Sequence, residues 1–596
     1  MTGKQALTQS RAAQDSPPAA GPGVMHCAFV HAPDPFYANT QNYGAQFMPV
    51  WAYTLAAHIP DDGHFELSLY DTRFDRVDDI ARADVYLFSA VNQDYAKLVQ
   101  TREQLARRHA GARFIVGGPI CWSFEQAGDL NKLADFDHVC IGDGEENLPE
   151  ILEALRLGKD LQPVLRAARR FDLALARPMH QGLLEAGLKR YYGAVLEVSR
   201  GCPFLCEFCD VRILPDNNRA HNKPPELIVA EIDQLCRSGV GEVLFACDNF
   251  IGEPRWAEAV VDALIAWQSR SGFRPSLYTW LTINIHKHDR LLQKMRRAGF
   301  DLLFVGIESF SENSLLETAK VQNAAPEMVA AVRTIQSYGF IVVAGLIFGF
   351  DSDGEDCFDL TLDGLREAGL LSGDPSLLTA LPGTPLFRRM KLTGRLRRVR
   401  YGLGGFKYQT NIKYLMPQER MVAGYRYFIS RYNGGRYQYQ RLRRFLELLA
   451  HGGRFIAIEG GGYGNMGRLL RLIFANRAAT RQLLQRAWRF AAHPSNLVFA
   501  FRGLWLLRRY PGLSGRLRFY QFWLFAWSNA VLKYQNLSDD DFDLESVGPD
   551  FDMRDLIPPD YAETADEAIP RHKIAAQIRA TEKQLARLVA NARSAD

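Results

Sequence analysis

Between Met25 and about residue 165 the chain alternates short apolar runs with stretches of helical spacing. The runs are HCAFVHA (26–32), FELSLYD (65–71), ADVYLFSAV (83–91), ARFIVGGP (112–119) and HVCIGDGE (138–145). Apolar runs of this length, separated by helices, predict parallel strands covered on both faces, and so a doubly wound α/β domain over 25–165. Several runs end directly in turn-forming residues: Ser89, then Gly117, Gly118 and Pro119, then Gly142, Asp143 and Gly144. Ligands on such sheets sit beyond the carboxyl ends of the strands, where glycine lets the backbone approach closely. The turns are therefore candidate ligand loops, with simple tight turning as the alternative. No G-x-G-x-x-G opens a helix after the first run, which argues against a plain dinucleotide site.

Residues 166–190 read as a linker, after which the alternation resumes with AVLEVSR (194–200), EVLFACD (242–248), SLYTWLTINI (276–285), LLFVGIES (302–309), FIVVAGLIFGF (340–350) and PSLLTALPG (375–383). Helical segments between them end in glycine, as helix C-termini commonly do. Six β/α units in series over 191–400 predict a partial barrel rather than the full eight. Beyond about residue 400 the strand pattern stops. Residues 401–596 read as a helical domain in which arginine is mixed with aromatic and aliphatic residues, interrupted by the acidic, irregular SDDDFDLESVGPDFD and closed by a polar helix from about 570. Residues 1–24 are rich in Pro, Gly, Ala and Ser and read as a flexible tail.

Composition narrows the class. With 596 residues, 47% hydrophobic and 23% charged, the chain has the balance of a folded soluble protein of several domains. No segment has the form of a signal peptide, and no apolar run is long enough to span a bilayer, so a cytoplasmic location with reduced thiols is expected. The net charge of +4 gives no general argument for a nucleic-acid partner, and no RNA-binding signature accompanies the basic and aromatic segments. The helices at 480–534 suit either contact with a membrane surface, aromatics near the headgroups and arginines at phosphates, or a lid packed onto the barrel.

Against this background, SRGCPFLCEFCD (199–210) stands out: it places three of the chain's nine cysteines in a C-x3-C-x2-C array directly after the first barrel strand. That is the carboxyl end, where barrels place their chemistry. Three thiolates can hold three irons of a cubane and leave the fourth iron open, whereas structural zinc usually requires four protein ligands. His221 lies twelve residues on from Cys209, and Cys236 falls in an amphipathic helix, so neither completes a neighbouring metal spacing. An open-iron cluster is the economical reading; zinc or plain buried thiols remain the alternatives.

The loop resembles the signature of radical S-adenosylmethionine (SAM) enzymes. LFACDNFIG (244–252), TINI (282–285), FVGIESFSENSL (304–315), GLIFGFDSD (345–353) and LPGTPLFRRMKLTGRL (381–396) occur in the order and spacing that group shows. The resemblance implies a 4Fe-4S cluster on Cys202, Cys206 and Cys209, these being both the metal ligands and the catalytic centre, with SAM chelating the open iron. Phe208 would lie near the adenine, and Glu308 would accept from the ribose hydroxyls, a task suited to a two-oxygen acceptor. Asp248 and Asn249 would meet the SAM amino group or the substrate, and Asn284 would add a polar contact. Strand-end structure or helix capping is the alternative for these last four.

The first domain resembles the cobalamin-binding domain of class B radical SAM methyltransferases. The D-x-H-x-x-G loop of other cobalamin proteins is absent: in DTRFDR (71–76) Arg73 replaces the histidine. The resemblance then implies a corrinoid without a histidine lower ligand, cradled by Ser89, Gly117, Gly118 and Pro119. TNIKYLMPQERMVAGYRYF and YQYQRLRRFLELL are similar to the C-terminal domain of enzymes that methylate bacterial hopanoids. Together these resemblances imply a cobalamin-dependent radical SAM methyltransferase acting on an unactivated carbon of a lipid, polyisoprenoid or other small molecule, reduced by an external donor such as flavodoxin or ferredoxin. The alternatives are a radical SAM oxidoreductase or carbon–carbon coupling enzyme whose first domain is empty, and a non-catalytic iron–sulfur or corrinoid-binding protein.

Overall fold

The structure, a computed structural model, describes residues 23–34, 46–211, 214, 216–317, 328–398, 408–458, 466–556 and 582–590. The expected N-terminal tail lies outside the described residues except for its last two. The expected polar helix from about 570 is described only over 582–590, where it is helical.

Six parallel strands build the first sheet: β1 (Met25–His31), β2 (Phe65–Asp71), β3 (Val85–Ser89), β4 (Arg113–Gly117), β5 (His138–Ile141) and β6 (Val164–Arg166), in the order β2-β1-β3-β4-β5-β6. The five expected strands are present, and β6 adds a short edge strand that the sequence pattern did not predict. Alternation within each strand sends side chains to two cores. Ala28, Val30, Tyr86 and Phe88 pack with the outer helices, including α1 (Pro119–Ala127). Cys27, Phe29, Val85 and Leu87 face inward and share one apolar core with the second domain. The order reverses between β1 and β3, and at such a switch point the loops diverge and open a crevice at the strand ends.

The second sheet is a parallel, open barrel of β7 (Ala194–Glu197), β10 (Glu242–Ala246), β11 (Ser276–Thr282), β12 (Phe300–Glu308), β13 (Ile341–Phe348) and β14 (Ser372–Leu377), paired in that order. Between β7 and β10, a two-residue antiparallel pair, β8 (Ser199–Arg200) and β9 (His221–Asn222), closes the base of the cysteine loop. β14 begins three residues before the expected PSLLTALPG run. After β14 comes α2 (Pro385–Leu392), whose N-cap Thr384 accepts from the Phe387 amide at 3.1 Å.

Strands do not stop at residue 400, and that expectation is corrected. β15 (Gln409–Tyr414) pairs in parallel with β16 (Asp543–Ser546), across most of the C-terminal region. β16 lies within the acidic stretch expected to be irregular. Its four residues are too few to give a period-2 signal, and its partner lies more than a hundred residues away. Between them run α3 (Gln418–Tyr432), α4 (Gly435–His451), α5 (Met466–Ala475), α6 (Arg477–Ala491), α7 (Pro494–Leu506) and α8 (Arg516–Lys533).

The aromatic helix α8 closes the open barrel. Trp523 and Trp527 are buried; their indole nitrogens donate to the Gln438 and Asn433 carbonyls at 3.1 and 2.9 Å. With Phe445 and Leu446 of α4 they pack against Tyr278, Leu302, Ile341 and Leu371, at or next to the amino ends of the barrel strands. This apolar plug leaves a lumen of about 510 Å³ above it, lined by Phe47, Tyr192, Tyr278, Trp280, Phe304 and Phe522 among others.

Candidate active site

Local geometry fixes the cysteine loop before any ligand is considered. Gly201 holds φ +87°, and a Cβ there would stand 2.1 Å from the Arg219 carbonyl oxygen, so the turn into the loop admits glycine alone. Its amide donates to Asp248 Oδ2 at 2.6 Å, the Cys202 amide to the Asn217 carbonyl at 2.9 Å, and the Cys209 amide to the Cys206 carbonyl at 3.2 Å. Asn249 is buried, with Nδ2 3.9 Å from Cys202 Sγ.

None of the three cysteines is in a disulfide, and all three are half-buried. Burial pushes the Cys202 thiol up to about 11, with Cys206 and Asp248 adding to the rise. Cys209 is likewise held well above the usual thiol range by burial, Asp210 and the other two thiols. Such thiols ionise only when a metal replaces their protons. Among the described residues no three His, Cys, Asp or Glu side chains converge as a single ion would require. Three thiolates leave a tetrahedral zinc site one protein ligand short, whereas a cubane can take one thiolate on each of three irons, so this donor set fits an iron–sulfur cluster.

Glu207, inside the loop, is buried beside the cysteines. Arg389 of α2 donates to its carboxylate from Nε at 2.8 Å and Nη2 at 3.0 Å. Arg389 Nη1 reaches Asp351 at 2.6 Å, and Arg395 Nη1 donates to Asp351 at 2.8 Å. Burial pushes the Asp351 carboxyl upward, but Arg395 and Arg389 outweigh it and hold the group below the carboxylate range. Sequence reading passed over this pair, although both residues sit inside quoted motifs.

Glu308 ends β12 with φ +67°, a left-handed backbone that is unfavourable for a glutamate, at a register shift between Gly306 and Glu308. Such strain persists where surrounding structure holds it, typically at functional sites. The carboxylate is directed toward β13: a Cβ on Gly345 would lie 3.7 Å from its Oε2, and Gly306 and Gly345 both line the lumen. Asn284 accepts from the Thr282 hydroxyl, and Phe208 packs near Phe350 with ring centroids 6.4 Å apart. Replacing Glu308 by glycine relieves about 1–2 kcal/mol of left-handed strain against about 0.5–1 kcal/mol of added chain entropy. The variant is expected to melt no lower than the parent, measured by differential scanning calorimetry.

A second cavity of about 500 Å³ opens between the domains. Ser89, Gly117, Gly118 and Pro119 form its first-domain wall, with Trp51 and Trp122; Glu197, Arg200, Asp210 and Asp248 form its barrel wall. Gly118 holds φ +87°, and a Cβ there would lie 2.5 Å from Ser89 Oγ and 2.9 Å from the Ala90 carbonyl oxygen. Among the described residues Trp122 Nε1 is buried without a hydrogen-bond partner, and no histidine lines the cavity. A glycine-walled, aromatic cavity with an unpaired indole donor fits a corrinoid lacking a histidine ligand. Arg73, where a histidine would stand, forms a buried ion pair with Asp71 at 2.6 Å and donates to the Phe47 carbonyl at 2.8 Å.

Two arginines that sequence reading missed stitch the domains at this cavity. Arg200 donates to Glu197 at 2.8 Å and to Glu145, and Arg170 donates to Asp143 at 3.0 Å and Asn217 at 2.9 Å. The structure thus brings Asp248 to the same cavity as the four first-domain residues. Asn284 and Glu308 line neither wall of it; the Glu308 carboxylate lies instead beside Gly345, which lines the lumen.

A partial parallel barrel with three thiols beyond its first strand, roofed by a doubly wound domain, defines a radical SAM enzyme. The Radical SAM superfamily model matches residues 196–365. The hopanoid C-2 methylase of Rhodopseudomonas palustris (strain TIE-1) is 31% identical over 383 residues, covering 64% of this chain and 70% of that protein. An uncharacterized methyltransferase of Synechocystis is 29% identical over 58% of this chain and 63% of its own length. Among solved structures, the cobalamin-dependent SAM radical enzyme OxsB, with aqua-cobalamin and SAM bound, shares the fold with a TM-score of 0.55 at 14% identity, covering 94% of this chain and 84% of that one. The methyltransferase TsrM from Kitasatospora setae gives 0.51 at 14% identity, over 64% and 79%. The chain belongs to the radical SAM superfamily, in the family of the hopanoid C-2 methylase.

Proposed function

We propose that the protein is a cobalamin-dependent radical SAM methyltransferase that methylates an unactivated carbon of an apolar, ring-containing or isoprenoid substrate held in the barrel lumen. The observation that carries this reading is the shared cavity: its first-domain wall suits a corrinoid, and its barrel wall holds Asp248, which is hydrogen-bonded to the turn that starts the cysteine loop. When bound, the cluster, SAM and cobalamin supply the radical that takes hydrogen from the substrate carbon and the methyl group that replaces it.

The chain's own residues bind, orient and exclude water. Cys202, Cys206 and Cys209 would hold the cluster, Asn249 supporting the first of them. Glu308 would accept from ribose hydroxyls at the top of the lumen, with Asp248, Asn249 and Asn284 as further polar contacts and Phe208 beside the adenine. Ser89, Gly117, Gly118 and Pro119 would carry the corrinoid. The aromatic lumen supports an apolar substrate, because its wall offers dispersion contacts and little hydrogen bonding, and it keeps water from the reacting carbon. Its polar end is the Lys533–Asp374 pair at 2.7 Å, a contact for a substrate's polar group. No paired acid and base is needed for a hydrogen-atom transfer. An external one-electron donor such as flavodoxin or ferredoxin would reduce the cluster.

The test is anaerobic purification with cobalamin supplied, followed by corrinoid quantification and analysis of lipid extracts. One corrinoid per chain and a product heavier by one methyl group are expected. A corrinoid-free protein that still cleaves SAM would redirect the search to oxidation or coupling. Gly118→Val, which places a branched side chain against Ser89, is expected to lower corrinoid occupancy at least about tenfold, with SAM cleavage retained.

A further inference from the structure

Between Glu459 and Asp539 the sequence contains no acidic residue, yet it carries eleven arginines and one lysine in a chain whose net charge is only +4. Arg471, Arg477, Arg481, Arg489, Arg502 and Arg508 are exposed, and none forms an ion pair with a described residue. A solvated surface of mixed sign would be expected to pair such groups within the fold. Here α5, α6 and α7 present one sign alone.

The same helices expose large apolar side chains. Phe474 on α5 is 61% exposed, Trp488 on α6 74%, and Phe501 and Trp505 on α7 70% and 60%. Leu470 with Phe474, Leu484 with Trp488, and Leu497 with Phe501 are exposed pairs four residues apart, so each helix turns an apolar stripe outward. Their other faces pack inward. Leu469 and Ile473 of α5 and Leu483 of α6 cluster with Phe47 and Tyr192, which also line the lumen. The stripes on α5 and α6 therefore lie on the outside of a layer that packs against two residues of the lumen wall, while α7 packs inward on the core formed by α4 and α8.

Aromatic and leucine stripes of this extent mark an interaction surface. Flanking arginines choose the partner: a helix of this kind lies in the plane of a bilayer, its apolar side chains among the acyl chains and its guanidinium groups at the phosphates. No described helix is long and apolar enough to cross a membrane, so the contact is peripheral. We propose that the outward faces of α5, α6 and α7 dock the enzyme on an anionic lipid bilayer, setting the lumen wall against the phase in which an apolar substrate is dissolved. Docking is independent of the chemistry; only its role in substrate supply rests on the proposed use of the lumen.

Cosedimentation of the full chain with vesicles tests this, using phosphatidylcholine alone and phosphatidylcholine mixed with phosphatidylglycerol, at low and high salt. Binding to the anionic vesicles is expected to be at least about tenfold tighter and to weaken with salt. The triple variant Trp488→Ser, Phe501→Ser, Trp505→Ser should lose at least about tenfold in vesicle binding while cleaving SAM at the parent rate. Equal, negligible binding to both vesicles, or an unaltered triple variant, would overturn the proposal. So would a dimer in sedimentation velocity that the triple variant dissolves, since the face would then be covered by a second copy. Normal docking with failure to methylate any lipid would support this surface and overturn the reading of the lumen.

Discussion

Cys206→Ala should abolish SAM cleavage in a chain that still folds. The loop is held by groups other than this thiol: the Gly201 amide on Asp248, the Cys202 amide on Asn217 and the Glu207 carboxylate on Arg389. Cys206 itself is half-buried, and exchanging it for alanine removes one sulfur, an effect on stability within about 1 kcal/mol. The chemistry has no such reserve, because two thiolates cannot retain a cluster that three hold with one iron open. Iron and sulfide content should collapse, and 5′-deoxyadenosine release on reduction should fall to background, while the melting temperature stays near that of the cluster-free parent. Full cleavage by the variant would remove Cys206 from the ligand set. Cys236→Ala serves as the control: that thiol is buried in a helix core, so the variant should lose some stability and keep its cleavage.

Why this loop could be read from sequence, and other parts of the site could not, has a physical basis. The cysteine array is local, and twelve adjoining residues carry its whole donor set. The inner strands of both sheets are largely buried and appear as continuous apolar runs whatever their partners, while the edge strands β2 and β14 are only partly buried. The position of α8 is different. Its composition says apolar helix, but its docking at the foot of the barrel depends on Trp523 and Trp527 finding carbonyls on residues 438 and 433, which no periodicity encodes. β16 failed for the same reason, being short and paired across the whole helical region. Arg170 and Arg200 were invisible because an arginine near a motif reads as a surface charge until its acidic partners, 27 and 55 residues away, are placed beside it. Glu308 was legible as a carboxylate at a strand end; its left-handed backbone was not.

The second large effect is expected from a residue that touches no cofactor. Arg389 is fully buried and is the bridge by which α2 holds the cysteine loop, since its guanidinium spans Glu207 and Asp351, and the Leu386 amide donates to the Glu207 carbonyl at 3.1 Å. Arg389→Met fits the volume but removes the guanidinium shared by three buried carboxylates, Glu207, Asp351 and, at 3.3 Å, Glu317, a change that destabilises by about 3–5 kcal/mol. Arg395 still neutralises Asp351, and burial pushes the Glu317 carboxyl up to about 8 so that it stays protonated near neutral pH; the uncompensated charge therefore falls mainly on Glu207, between Cys206 and Cys209. The loop should then relieve that charge by moving Glu207 toward water, which displaces the cysteines on either side. Reconstituted Arg389→Met is therefore expected to melt well below the parent and, at temperatures where it is fully folded, to hold less iron. Adding Glu207→Gln removes the stranded charge and should restore part of both properties, whereas Glu207→Gln alone should be harmful because it leaves Arg389 under-neutralised. A fully folded Arg389→Met that binds iron as the parent does would show that the loop keeps its shape without this anchor.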